Sequence, residues 1–174
     1  MKSPQENTRP PIRSIGPVDD DPGRSAPGKT SRRRTRELAL SCCFEIEVGG
    51  LKIEPVIKHT VESRDVDPNA EKFLVAAVET AEKYRESIDG VVGELAIGWK
   101  LDRIARVDLC ILRLAISELL IGIEDPPPPD AVIINEAVVL AKKFSTEDSG
   151  KFVNGILASV AKEKDRYAEK LRQS

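Results

Sequence analysis

The 174-residue sequence is poor in aromatic side chains, which make up 4% of it. A core with so few rings has to be built from aliphatic side chains, and such a core suits packed helices. The sequence also lacks any sustained alternation of apolar and polar residues, the pattern that half-buried strands produce. These two absences exclude most sheet architectures and favour an all-α fold.

Catalytic and metal-binding motifs are equally scarce. The single histidine, His59, lies on an ordinary amphipathic segment, where a lone histidine is more often a surface or packing residue than a catalytic one. The glycines match neither a phosphate-binding loop nor a dinucleotide-binding motif, and the carboxylates do not converge on one site. We therefore expect no catalytic residues, no metal site and no cofactor in a protein that is not an enzyme.

The three cysteines, Cys42, Cys43 and Cys110, form no Cys-x-x-Cys motif. Neighbouring residues on a helix point about 100° apart, so Cys42 and Cys43 are poorly placed to share a metal ion. They are typical of reduced core thiols in a cytosolic protein. No apolar run approaches the roughly 18 residues of a membrane span, and the N-terminus lacks the apolar segment of a secretory signal. The sequence therefore predicts a cytoplasmic location.

Six prolines interrupt residues 1–30. A segment of this kind buries too little apolar surface to offset the entropy lost on ordering it. We predict a disordered proline-rich tail over residues 1–30 and one helical domain over residues 31–174.

Apolar residues recur at helical spacing through the rest of the chain and predict seven helices. The predicted segments are 33–48, 53–62, one starting at Pro68 after a cap at Asp67, one through Val91 and Leu95, 103–123, 131–144, and one starting at a capping box formed by Ser145 and Asp148. The fifth segment is apolar around most of its circumference, which is typical of a central, buried helix.

Basic residues are concentrated where the first predicted helix begins. Six basic residues and no acidic one lie between Arg24 and Arg36, which leaves 21 basic against 29 acidic residues elsewhere. A basic arm on an acidic body suggests a polyanionic ligand, although a solvated charge run is an equal alternative. Helical spacing places Arg33 and Arg36 on the side of Leu40 and Phe44, opposite the core stripe. We expect these arginines to face outward at a helix start whose dipole attracts anions.

Two further residues have competing interpretations. Phe44 lies beside the basic arm and suits stacking on an unpaired base, but we favour a core position for it. Arg113 lies on the apolar fifth helix, where a buried arginine needs a partner. We favour a structural ion pair over RNA contact for Arg113. Asp102 stands four residues before Arg106 as a candidate acidic partner on this helix.

Several stretches together match a known pattern. They are RRRTRELAL from Arg32, DLCILRLAISEL from Asp108, INEAV from Ile134, AKKF ending at Phe144, EDS from Glu147 and KFVNGIL from Lys151. In order and spacing, over about residues 32–162, they resemble the NusB family of transcription antitermination factors. The run from INEA to KFVNG is specific, whereas an arginine cluster alone would not be.

The resemblance implies an all-α, seven-helix fold of two small bundles and a role in transcription regulation. It implies binding of single-stranded boxA RNA in ribosomal RNA operon leaders, together with NusE, a small-subunit ribosomal protein. The pair would act on RNA polymerase with other Nus factors and suppress termination. By matching positions, the RNA-binding residues would be Arg32, Arg33, Arg34, Arg36, Asp148, Lys151 and Phe152.

The chain departs from the family pattern at a few positions. Phe44 stands where family members usually have Tyr, and Ser145 stands where Gly usually follows the Phe. The fold also occurs in front of ribosomal RNA methyltransferases, but the absence of cofactor glycines makes us expect no such activity. The alternative function is a helical protein-interaction module of the same fold without RNA binding. A homodimer that masks the arginines is a further arrangement known in relatives.

Overall fold

The computed structural model describes residues 29–98 and 100–173, and the regular structure within them is helical throughout. The α-helices are α1 (Arg32–Gly49), α2 (Ile53–Arg64), α3 (Pro68–Lys83), α4 (Arg85–Leu95), α5 (Arg106–Leu120), α6 (Asp130–Phe144), α7 (Glu147–Lys162) and α8 (Lys164–Arg172). The predicted all-α class is confirmed. The predicted tail lies, up to residue 28, outside the described residues and stays a prediction.

The start of α3 follows directly from its sequence. Asp67 is the N-cap, and its carboxylate accepts the backbone N–H groups of Asn69 and Ala70. Pro68 occupies the first helical position, where a missing N–H costs nothing. The cap predicted at Asp67 is therefore confirmed.

The N-cap of α7 lies one residue later than predicted. Thr146 is the N-cap, and its hydroxyl accepts the backbone N–H of Ser149 at 3.0 Å. Ser145, the predicted cap, instead shares a hydrogen bond between its hydroxyl and that of Ser149. Asp148 pairs with Lys151 rather than reaching back to the cap. The capping box was therefore assigned wrongly, although the helix begins where the sequence suggested.

Helix α5 lies at the centre of the fold, as predicted, and packs against α1, α3, α4, α6, α7 and α8. It begins at Arg106 and not at residue 103, because a short 3-10 helix (Leu101–Arg103) and the extended backbone of Ile104 precede it. The side chains of Ile111, Leu112 and Ile116 are fully buried. Burying each of them stabilises the fold by about 1.5–3 kcal/mol.

The remaining helices form two small bundles on either side of α5. Helices α1, α2 and α3 pack on one another, and α4, α6, α7 and α8 form the second group. The chain leaves helical geometry at Glu163 and continues as α8, whose buried face is Tyr167, Ala168 and Leu171. The periodicity analysis did not separate this eighth helix from the seventh. No helix in the described part of the chain is long and apolar enough to span a membrane.

The three cysteines are free and buried, as expected for core thiols. Burial raises the pKa of Cys42 and of Cys43, and raises the pKa of Cys110 to about 12. A thiol in such an environment stays protonated and unreactive near neutral pH. The cysteines therefore belong to the packing of the fold.

Candidate nucleic-acid interface

The first two turns of α1 contain the arginines of the predicted basic arm. Ser31 caps this helix, and its hydroxyl accepts the backbone N–H of Arg34 at 3.2 Å. The backbone N–H of Thr30 donates to Asp67 at 2.6 Å, so the chain enters α1 beside the start of α3. The first turn of α1 contains no acidic residue. The partial positive charge of the helix start therefore adds to that of the arginines.

Arg32 and Arg36 lie one turn apart and point toward α3 and α5. Arg36, whose side chain is 11% exposed, donates to both carboxylate oxygens of buried Glu118 on α5. Arg32 donates to Glu124, just beyond α5, at 2.6 Å. Both guanidinium groups lie over the ring of Phe73 on α3. The expectation that Arg36 faces outward is wrong, because α3 and α5 cover that side of α1.

Arg33 is the most accessible arginine of the arm, and Arg34 is as exposed as Arg32, at 31% and 32%. Arg33 donates two hydrogen bonds to Glu136 on α6, at 2.8 and 3.1 Å, with 46% of its side chain exposed. The hydrogen bond from Arg33 lowers the pKa of Glu136 below its usual range. Arg34 lies 3.3 Å from Glu37, which also accepts from Lys143 of α6 at 2.7 Å.

Each of these four arginines is thus paired with a glutamate in the free protein, and one of the glutamates, Glu37, also pairs with Lys143. The partners of Arg32, Arg33 and Arg36 lie 92, 103 and 82 residues away along the chain, so sequence spacing gave no signal for them. Leu40, expected on the outward side of α1 with the arginines, is buried. A carboxylate and a phosphate offer an arginine the same two-oxygen fork. The glutamates therefore use the same donors that a phosphate can use.

The predicted residues Asp148, Lys151 and Phe152 lie together at the start of α7. The side chains of Asp148 and Lys151 are 91% and 75% exposed and approach to 3.2 Å. Phe152 is half-buried and packs against the core. The structure thus brings these three residues to one accessible helix start.

A buried hydrogen bond anchors this helix start to α5. The hydroxyl of Ser149 donates to Asp108 at 2.7 Å, and Asp108 is only 5% exposed. Gly150 packs closely on α6, since a Cβ atom at this position would lie 2.8 Å from the side chain of Lys142. The start of α7 is therefore held against both α5 and α6. No sequence pattern pointed to Asp108, because its role depends on the meeting of two distant helix starts.

Two surface pockets lie beside the arginine arm, and Phe44 on α1 and Phe144 at the end of α6 line both of them. One, of about 260 Å³, reaches Arg34 and His59, and the other, of about 360 Å³, reaches Arg106. Phe44 is half-buried against the core, so one side of the ring is packed while the pockets give access to the rest.

Arg113 has the structural role that the sequence predicted. It is 2% exposed and donates two hydrogen bonds to Asp89 on α4 and one to Glu47 on α1, each 2.7 Å long. Glu47 also accepts from Arg106 at 2.7 Å, so the partner of Arg106 is Glu47 and not Asp102. The network ties α1 to α4 and α5, and it leaves Arg113 no access to a ligand.

The fold and these two helix starts define a class: an all-helical protein with a paired arginine cluster at one helix start and a second polar region at another. Residues 33–162 match the model of the NusB family, and the chain belongs to that family. The predicted family and fold are therefore confirmed.

Relatives and solved structures agree with this assignment. Transcription antitermination protein NusB of Acetivibrio thermocellus is 42% identical over 133 residues, which span 76% of this chain and 90% of that protein. The structure of T. maritima NusB has a TM-score of 0.71 and 33% identity, covering 81% of this chain and 99% of that one. A crystal structure of the antitermination factors NusB and NusE in complex with double-stranded RNA has a TM-score of 0.67 and 27% identity, covering 76% and 96%. Membership of a family of transcription antitermination proteins confirms that the chain is not an enzyme.

Proposed function

We propose that this NusB-family protein is a cytoplasmic RNA-binding factor that recognises single-stranded boxA RNA in ribosomal RNA operon leaders together with NusE. A 42% identical relative is a transcription antitermination protein, and NusB and NusE are present together with RNA in a similar structure. On the RNA, the pair would join RNA polymerase and other Nus factors and suppress termination. Residues 31–174 would form the RNA-binding domain.

The observation that carries this proposal is the arginine cluster at the start of α1. Guanidinium groups bind phosphates through paired N–H donors, and those of Arg33 and Arg34 are accessible enough to do so. In our proposal a phosphate replaces Glu136 as the partner of Arg33. The released carboxylate would then regain its hydration, which offsets part of the cost of breaking the ion pair.

This exchange makes each phosphate contact weaker than a contact to an unpaired arginine. The binding free energy gained per contact is the difference between an arginine–phosphate pair and the arginine–glutamate pair that it replaces. It is therefore smaller than the full strength of the arginine–phosphate pair. The chain outside residues 24–36 has 21 basic against 29 acidic residues, which repels phosphates beyond the arm. A basic partner such as NusE would cancel this repulsion and extend the positive surface along the RNA.

The start of α7 supplies the second proposed contact. Lys151 offers a charge for a phosphate, and the half-buried ring of Phe152 offers a stacking face, as unpaired bases often find in proteins. Asp148 offers hydrogen-bond acceptors to a base or a ribose hydroxyl. The pockets beside Phe44 and Phe144 would give a single strand a path past the arm toward this region.

The alternative is a protein-interaction module that has lost RNA binding, and one observation favours it. All four arm arginines are already neutralised by glutamates, so the charge available to RNA is smaller than the sequence suggests. In that case the protein would bind NusE but not boxA RNA.

Replacing Arg33 and Arg34 by Ala tests the proposed function. A boxA-like RNA oligonucleotide is titrated at several salt concentrations, and affinity should fall while the dependence on salt flattens by about 0.7 per lost contact. Removing Arg36 is a poorer test, because it would leave Glu118 as a buried acid without its partner. Arg166→Ala with Arg172→Ala, on α8, removes the same charge elsewhere and serves as the control. Equal affinities of the arm variant and the control would contradict the proposal.

Titration with and without saturating NusE tests the heterodimer. By linkage, NusE must strengthen RNA binding by the factor by which RNA strengthens NusE binding, and about 5–150-fold would be typical. An RNA affinity and salt dependence that NusE leaves unchanged would refute the heterodimer. Sedimentation equilibrium of the protein alone reports whether it forms the homodimer.

A further inference from the structure

The ring of Phe73 on α3 lies against two arginines of the arm. The guanidinium carbons of Arg32 and Arg36 lie 4.8 and 5.3 Å from the ring centroid. A cation within about 6 Å of an aromatic face is attracted by the negative charge density of that face. Phe73 is itself only 3% exposed. The surrounding core therefore fixes the ring, and the ring limits where the two guanidinium groups can lie.

Arg32 and Arg36 differ in whether a phosphate can reach them. Arg32 has a side chain 32% exposed and donates one hydrogen bond to Glu124 and one to Asn69, and an incoming phosphate competes for such donors. Arg36 is 11% exposed and is held by buried Glu118. The attraction between the ring of Phe73 and the guanidinium of Arg32 needs no hydrogen-bond acceptor. A phosphate can therefore replace the carboxylate of Glu124 while the contact with the ring stays intact.

We propose that Phe73 is a positioning residue for RNA recognition, an inference that rests on the proposed RNA-binding function. It keeps Arg32 in place while its hydrogen bond passes from Glu124 to a phosphate, and Arg36 stays on Glu118. A free arginine side chain loses rotamer freedom when it binds, and this loss reduces affinity. Because Phe73 restricts the side chain of Arg32 beforehand, less of this freedom is lost on binding RNA. Nothing in the sequence pointed to this role, since Phe73 matches the core stripe of α3.

The test compares Phe73→Leu with a control on the same helix. Phe73→Leu keeps an apolar side chain but removes the aromatic face, whereas Leu74→Val trims the fully buried neighbouring residue, which has no aromatic ring. In titrations with a boxA-like RNA and NusE, Phe73→Leu should lower affinity about fivefold. The slope of affinity against salt should stay the same, because the number of phosphate contacts is unchanged. Leu74→Val should bind RNA like the wild type.

Three further measurements make the result decisive. Phe73→Tyr keeps the ring and should bind RNA as tightly as the wild type. Phe73→Met provides a second variant without a ring in case Phe73→Leu folds poorly. In Arg32→Ala, the additional loss caused by Phe73→Leu should be smaller than in the wild type, since the two residues act through one contact. The proposal is overturned if ring-free variants bind RNA like Leu74→Val, or if Phe73→Leu and Arg32→Ala are fully additive. If such variants bind normally while Arg33→Ala with Arg34→Ala still weakens binding, Phe73 has no positioning role but the proposed function stands. If the wild-type protein does not bind RNA, both the proposed function and the positioning role of Phe73 are refuted.

Discussion

Replacing Arg113 by Met would remove the centre of the buried ionic network between the two bundles. Arg113 and Glu47 have side chains 2% and 4% exposed, so neither charge is compensated by water. Breaking a buried pair by removing one partner typically costs about 3–5 kcal/mol, because the other charge is left behind. Here Arg85 and Arg106 still contact Glu47, which places the expected cost near the lower end, at about 3 kcal/mol.

Urea denaturation followed by circular dichroism measures this cost. With a slope of about 1–3 kcal/mol per molar urea, a loss of about 3 kcal/mol moves the midpoint by about 1–3 M. Arg166→Met is the matched control: its side chain is 56% exposed and pairs with Glu94 and Glu163 at the surface. Surface pairs of this kind are worth about 0–1 kcal/mol. A cost below about 1 kcal/mol for Arg113→Met would refute the view that this network holds the bundles together.

Three other predictions concern the core, the arm and pH. Leu112→Ala should cost about 2–5 kcal/mol in the same urea experiment, since Leu112 is fully buried on the central helix; a cost below about 1 kcal/mol would mean that α5 is not central. Glu136→Gln should raise the affinity for RNA severalfold, because Arg33 no longer has to leave a carboxylate; unchanged affinity in a titration would rule out exchange at this site. Burial alone would raise the pKa of Glu47, but the hydrogen bond and charge of Arg113 bring that pKa below its ordinary value. Stability from Glu47 is therefore present above about pH 4.3 and lost as pH falls through its folded-state pKa, and in Glu47→Gln the acid fall of stability should be shallower.

The helices were predictable because their signals are local. Apolar spacing located α1 to α7, and the cap at Asp67 needed only the residues next to it. The cap of α7 was misplaced because Ser145 and Thr146 are both suitable caps. The structure uses Thr146, and the neighbouring Ser149 is in turn held by Asp108, a residue 41 positions away.

The glutamate partners of the arm arginines could not be predicted from the sequence, because they too are distant along the chain. The run of basic residues correctly placed Arg32, Arg33, Arg34 and Arg36 at the start of α1, whereas helical spacing wrongly predicted that Arg36 faces outward. Neither signal showed that α5 and α6 bring Glu118 and Glu136 to these arginines. The resemblance to a family supplied the candidate site residues, and the structure added what those residues contact before any ligand arrives.

The ion pair between Glu37 on α1 and Lys143 on α6 also has a geometric consequence. It joins the helix of the arm to the helix that leads into α7, while Ser149–Asp108 fixes the start of α7 on α5. The separation between the two proposed RNA contacts is therefore set by the packed helices and not by a flexible linker. A strand long enough to contact both helix starts would gain binding free energy from both. A shorter strand would contact only one of them and bind more weakly.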